Sequence, residues 1–310
     1  MATSRRWANL ATAGGAVAAT LFAAFDLIQW ALAYQSDRFH NDLTFYYAAA
    51  RIGLARGWSS IYDLGVLQNE LDAMGSGIKI AALARFLSPP PLAWAATPLT
   101  PLPFPAAYFL WSALLLAALA LTWSLAAPGR GRVRVIHLVA ALGWLPVIYC
   151  LQLGQPGLFV ALGVAASCFA LRGGRPAWAG LALAAMALKP QLAFMIPVAL
   201  LVAGRYRAFL FSAAGLGALA LASAIALGPD GIHTYLDRLA FAATVPVNRA
   251  LTLDAVFGDV NVMRAVQTVV GVWTVFLAYR LRRGEPEWIY ATALIGGLLA
   301  TPYVHLDDLL

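Results

Sequence analysis

The sequence predicts an all-α fold, a polytopic bundle of transmembrane helices, from three observations. Of 310 residues, 62% are hydrophobic and 11% are charged, against about 45–50% and about 25% in ordinary soluble domains. The mean hydropathy is +0.75, and the apolar residues fall into runs long enough to cross a bilayer. Between the runs stand short clusters that are almost pure arginine: Arg5-Arg6, Arg130/Arg132/Arg134, Arg172/Arg175, Arg205/Arg207 and Arg280/Arg282/Arg283. That much apolar surface cannot be hidden inside one globular core, so a soluble enzyme, a disordered chain and a nucleic-acid-binding module are excluded. The whole of residues 1–310 reads as one integral membrane domain.

A span needs about 20 apolar residues. The candidates in order are 8–34, 105–127, 135–152, 157–171, 208–227, 262–280 and 288–301. The first follows Arg5-Arg6 like a signal peptide, but it is far longer than the roughly 7–15 residues of an apolar signal core, and it is retained as the first helix. Two stretches are irregular. Residues 86–105 hold Pro89, Pro90, Pro91, Pro98, Pro101, Pro103 and Pro105, which no long regular helix accepts. Residues 176–203 carry Lys189-Pro190-Gln191 in the middle of an apolar run. At the end, His305-Leu306-Asp307-Asp308-Leu309-Leu310 opens what reads as another apolar segment, so the chain is expected to be a C-terminally truncated fragment.

The charges sort by side. Lys and Arg beside a span resist translocation, so cytoplasmic loops collect them. Eleven of the fourteen acidic residues lie in 35–87, 228–261 and 301–310, and the exceptions are Asp26, Glu285 and Glu287. Those three segments are the expected extracytoplasmic face. The net charge of +7 then records orientation in a cytoplasmic (inner) membrane, with no nucleic-acid partner. Two topologies stay open. In one, every arginine cluster is cytoplasmic, 86–105 is re-entrant and 176–203 is a hairpin with Lys189 near the outer face. In the other, both stretches are single spans and two arginine clusters lie outside.

Cys150 and Cys168 sit inside apolar runs and form neither a disulfide framework nor a metal site. No phosphate-binding loop, dinucleotide fingerprint, HExxH or GxSxG motif is present. Chemistry is therefore sought among polar groups that a bilayer excludes. Asp42, in Asn41-Asp42-Leu43-Thr44-Phe45-Tyr46-Tyr47, lies just beyond the first span and before an aromatic segment suited to the membrane interface. It is either a solvated acid beside an aromatic anchor or a general base at the lipid surface. Lys189, flanked by apolar half-helices, either snorkels or faces an anion in a polar cavity. His305, Asp307 and Asp308 form a solvated turn or orient a phosphate or sugar. Gln155, in Gln152-Leu153-Gly154-Gln155-Pro156-Gly157, reverses the chain or reaches a substrate. Asp26 is read as structural.

Together these elements resemble glycosyltransferase family 87. The resemblance rests on Asn41 to Ala50, Gly57-Trp58 with Ile61-Tyr62-Asp63, Ser88-Pro89-Pro90-Pro91-Leu92, Leu153 to Gly157, Leu188-Lys189-Pro190-Gln191 and Thr301-Pro302-Tyr303-Val304-His305, in the family's order. It implies a GT-C fold with extracytoplasmic loops carrying interfacial helices. It also implies an inverting transfer of a hexose, mannose foremost, from a polyprenyl-phosphate sugar to a glycolipid or glycan acceptor among membrane lipids. Asp42 falls on the catalytic aspartate. Lys189 and His305, with Arg85 as an outer candidate, fall near the donor phosphate; Tyr46, Tyr47, Gln155, Gln191, Asp307 and Asp308 are candidate substrate contacts. No cofactor or metal is expected, since no dense carboxylate cluster adjoins Asp42 in sequence. A transporter or flippase of lipid-linked or anionic substrates is the alternative from another class, because broken helices around an intramembrane lysine suit an anion pathway. A different lipid-linked sugar enzyme, an O-antigen ligase or polymerase, is a third.

Overall fold

The computed structural model describes residues 2–81 and 84–310, leaving out the side chains of 2–6, 8, 9, 11 and 254, so the side chains of Arg5-Arg6 lie outside the described residues. Among the described residues every regular element is helical: α1 (Ala2–Ser36), α2 (Leu43–Arg56), α3 (Leu64–Ala73), α4 (Pro90–Ala96), α5 (Phe104–Ala126), α6 (Arg132–Leu142), α7 (Leu145–Leu153), α8 (Gly157–Arg172), α9 (Pro176–Ala182), α10 (Met195–Val202), α11 (Tyr206–Thr244), α12 (Asp254–Phe257), α13 (Val260–Arg280) and α14 (Pro286–Ala300), joined by short 3₁₀ turns. The all-α polytopic expectation holds.

Four helices among the described residues are long and apolar enough to cross a membrane, namely Thr12–Ser36 of α1, α5, α11 and α13. Their outer faces present Leu21, Phe22, Leu221, Ile225, Val269 and Trp273, each more than half exposed, a surface suited to lipid rather than water. The chain is an integral membrane protein. The remaining expected spans need correction. The run 135–152 breaks into α6 and α7, bent by 55°, with Gly143 and Trp144 at the break and Pro146 in the first turn of α7. Helices α8 and α14 have 16 and 15 residues, short of the usual span. Helix α11 runs past 227 but bends at Gly228-Pro229, where Gly228 has φ 62°, a conformation that favours glycine.

Both irregular stretches turn back on themselves. Phe86 packs on Tyr46 (6.3 Å between ring centroids) and Tyr62 (5.3 Å), while Phe104 packs on Tyr47 (5.5 Å). The proline-rich segment thus starts and ends against adjacent tyrosines of α2, and between them builds only the one short helix α4. In 176–203, Gly180 is in backbone contact with Ala208, and Gly215 lies beside Ala184, so α9 runs parallel to the start of α11. Helix α10 returns to Val202, four residues before α11 begins. Lys189 is the apex of this hairpin.

These directions separate the two ends of the bundle. Trp111 of α5 packs on Phe159 of α8 at 5.1 Å and donates its Nε1–H to the carbonyl of Gly154 at 2.8 Å. Both helices therefore run from the 152–157 turn towards arginine clusters. Arg134 donates to the carbonyl of Ser124 at 2.6 Å, and Arg172 pairs with Glu287 at 2.9 Å. Helix α14 leads back, with Gly297 beside Met195 of α10, and ends at Thr301. The arginine clusters at 130–134 and 172–175 stand at one end; Asp42, Gln155, Lys189 and residues 301–308 gather at the other.

Candidate active site

Helix α2 begins at Asp42, yet its neighbour does the capping. The Asn41 Oδ1 accepts from the backbone N–H of Thr44 at 3.2 Å, satisfying a free donor of the first turn. The Asp42 carboxylate makes no cap bond and is left for another partner. Its backbone N–H donates to the Leu153 carbonyl at 2.9 Å, which fixes it beside the 153–157 turn. The following Phe45, Tyr46 and Tyr47 are buried among protein, so the aromatic segment packs inside the bundle rather than lying on lipid.

That turn is a Schellman motif. Gly154 takes a left-handed conformation at φ 69°, its N–H meets the Leu151 carbonyl at 3.2 Å, and the Gln155 N–H meets the Cys150 carbonyl at 2.9 Å. This pattern satisfies the free carbonyls that end a helix. A Cβ at Gly154 would stand 2.9 Å from the Leu43 Cβ, so glycine also permits the close approach of α2. The motif aims the Gln155 side chain inward.

Gln155 is the hub. Its Nε2 donates to the Asp42 carboxylate, and its Oε1 accepts from Tyr46 Oη at 3.2 Å and from Lys189 Nζ at 3.1 Å. Lys189, at the hairpin apex, also pairs with Asp307 and with Asp308, the latter at 2.5 Å. An ammonium has three donors, and these three partners occupy them. Asp307 is wholly buried, and its Oδ1 has no hydrogen-bond partner among the described residues. The last segment is seated by Gly157, where any side chain would meet Leu310 and the Asp307 carbonyl, and by Trp144, whose Nε1–H donates to the Leu309 carbonyl at 2.9 Å.

Electrostatics follow from burial. The Asp42 carboxyl is pushed up to about 6, chiefly because burial penalises its charged form and next by the negative charge of Asp307; Lys189, the Gln155 hydrogen bond and His40 oppose the rise. A carboxylate in that range is ionised at neutral pH and basic enough to take a proton from a hydroxyl. His305 is lowered, mainly by burial and also by Lys189, against the pull of Asp307 and Asp308. It is neutral at neutral pH, stacks on Tyr303 at 4.7 Å and bonds through Nε2 to the Asn248 Oδ1 at 2.9 Å. It offers a hydrogen bond rather than a positive charge.

Beside this network opens a cavity of about 750 Å³ whose lining includes Lys189, Gln191, Arg249, Arg264, Gln267 and Tyr303. Asp42 does not line it and is joined to its wall through Gln155 and Lys189. Two candidates stand apart from the cluster. Tyr47 donates its hydroxyl to the Leu102 carbonyl at 2.7 Å, and Arg85 lies over the Phe241 ring at 4.1 Å outside the cavity lining. Asn248, Arg249, Arg264 and Gln267 were not among the sequence candidates. Arg264 did carry a signal, as an arginine inside the apolar run 262–280, whose other arginine, Arg280, closes the run. No dense carboxylate cluster adjoins Asp42 in sequence, but the fold brings Asp307 and Asp308 to the lysine beside it. Among the described residues no group of three His, Cys, Asp or Glu is arranged to hold a metal ion.

The family model of glycosyltransferase family 87 matches residues 86–303. The matched region includes Gln155, Lys189, Gln191 and all the lining residues of the cavity; Asp42 and 305–308 lie beyond it. Comparison with curated proteins and with solved structures finds no match. A family of glycosyltransferases sets the transporter alternative aside. The match covers well over half of the chain, which therefore belongs to glycosyltransferase family 87.

Proposed function

We propose that the chain moves a hexose, mannose foremost, from a polyprenyl-phosphate donor to a hydroxyl of a glycolipid or glycan acceptor, with inversion and with Asp42 as general base. The observation that carries this reading is the placement of Asp42. It is held by Gln155 next to the lysine that lines the cavity, at the end of the bundle opposite the arginine clusters. Arginine-rich loops stay cytoplasmic, so this end faces outward, where a lipid-borne donor presents its sugar.

In the reaction the Asp42 carboxylate takes the acceptor hydroxyl's proton as that oxygen bonds to the anomeric carbon. The bond from that carbon to the phosphate oxygen breaks, and polyprenyl phosphate leaves with the electron pair. A phosphate leaves without a general acid, and cations or hydrogen-bond donors aimed at it stabilise the developing charge. Lys189 and Gln191 on the cavity wall, with His305 behind Tyr303, stand on the donor side; Tyr46 holds Gln155, and Asp307 and Asp308 hold Lys189.

The test is Asp42→Asn in purified protein given a polyprenyl-phosphate sugar and acceptor. The amide keeps the shape and can still accept from Gln155, so donor binding should persist while turnover falls by about 10²–10⁴-fold. Asp37→Asn, at an exposed position, and Asp63→Asn, which retains the cap of α3, should be mild. Near-normal transfer by Asp42→Asn would remove the base assignment.

A further inference from the structure

Inside the cluster one ammonium stands against three carboxylates, and all three of its donors are occupied. A phosphate that approached Lys189 alone would meet a formally acidic group. The wall facing the hairpin has the opposite character. Val260, Met263, Arg264 and Gln267 of α13 line the cavity at the i, i+3, i+4, i+7 spacing of one helix face, and Tyr235, Leu239, Ala242 and Ala243 line it from α11 in the same way. Arg249 adds a second guanidinium from the 246–249 turn, and among the described residues no aspartate or glutamate lines the cavity. Among the described residues no carboxylate lies within ion-pair distance of Arg264, an exposed residue that lines this largely apolar cavity from a helix of span length. A cation so placed calls for an anion, and apolar walls around it call for that anion to carry a hydrocarbon chain.

We propose that Arg264, with Arg249 beside it, is the seat of the lipid phosphate, and that the occupant of the cavity is the phosphate end of a polyprenyl chain. This rests on the transferase reading above and adds to it, in Arg264, a cation that Lys189 cannot supply alone while it is shared. Guanidinium suits the role, because its planar donors grip two phosphate oxygens at once and remain charged when partly desolvated. The division of labour is physical: Lys189, shared with its carboxylates, joins the Asp42 side to the donor side of the cavity wall, and Arg264 brings the leaving group the charge that Lys189 cannot bring alone.

The experiment measures binding of a polyprenyl phosphate, without sugar, to the full chain in nanodiscs of zwitterionic lipid. Arg264→Gln should weaken binding about tenfold, which is about 1.4 kcal/mol. Val260→Asp, one turn earlier on the same face, should weaken it by a similar factor through repulsion, and an acid in a first helical turn is tolerated. Both effects should shrink as salt rises. Arg283→Gln, in the arginine cluster at the other end of the bundle, should bind as the wild type does. Unchanged binding by Arg264→Gln in protein that elutes as a folded species would overturn the proposal. So would an equal loss in Arg283→Gln, or equal competition by phosphatidylglycerol or inorganic phosphate. Arg264-dependent binding in a protein that transfers no sugar would sink the transferase reading alone; transfer with a donor KM indifferent to Arg264 would sink this seat alone.

Discussion

Lys189→Met removes the ammonium while keeping most of the side chain's length. The structure shows what is then left behind: Asp307, wholly buried, and Asp308, 5% exposed, next to each other and near Asp42 with no cation between them. Breaking a buried ion pair by removing one partner costs about 3–5 kcal/mol, because the remaining charge stays desolvated. Asp307→Asn alone leaves Lys189 with Asp308 and Gln155 and should cost about 1–3 kcal/mol. Combining the two relieves one stranded carboxylate, so the double variant should be more stable than Lys189→Met, with a coupling of about 1–3 kcal/mol. Unfolding of the purified protein in mixed micelles, followed by tryptophan fluorescence, measures all four species. If Lys189→Met matches the wild type, or if the two substitutions add without coupling, the ion-paired cluster does not hold the 301–308 segment against the hairpin.

Three further outcomes are expected. Because the Asp42 carboxyl sits at about 6 and acts as a base only when ionised, kcat/KM should be level above that pH and fall about tenfold per unit below it; a profile flat down to pH 4 would remove Asp42 from the proton transfer. Gly154→Ala forces a side chain into a left-handed turn and towards Leu43, costing about 1–2 kcal/mol and loosening Gln155 from Asp42; transfer should fall more than stability, and unchanged transfer would mean the turn does not position Asp42. Cysteines placed at the exposed positions Ala73 and Val256 should react with an impermeant reagent from outside intact cells, and one at Arg283 only after lysis; the reverse pattern would invert the bundle.

The fold class was legible along the chain because membrane insertion is written locally. A run of apolar side chains long enough for the hydrocarbon layer, an arginine cluster at its end and prolines where no helix can continue each act within a few residues. The polar outliers Asp42, Gln155, Lys189 and Asp307 stood out for the same reason, as groups that lipid would reject. Their assembly was not legible. Gln155 meets Asp42 across 113 positions and Lys189 meets Asp307 across 118, and such pairings are decided by how helices pack. Hydropathy left open whether 86–105 and 176–203 cross or turn back; contacts of Phe86, Phe104 and Gly180 with distant helices decided it. It also missed Arg264, because a single arginine in an apolar run reads alike whether its face meets lipid or a cavity. Only the packing of α13 against α14 and against α10 of the Lys189 hairpin brings Arg264 to the cavity wall and makes its charge a feature of the site.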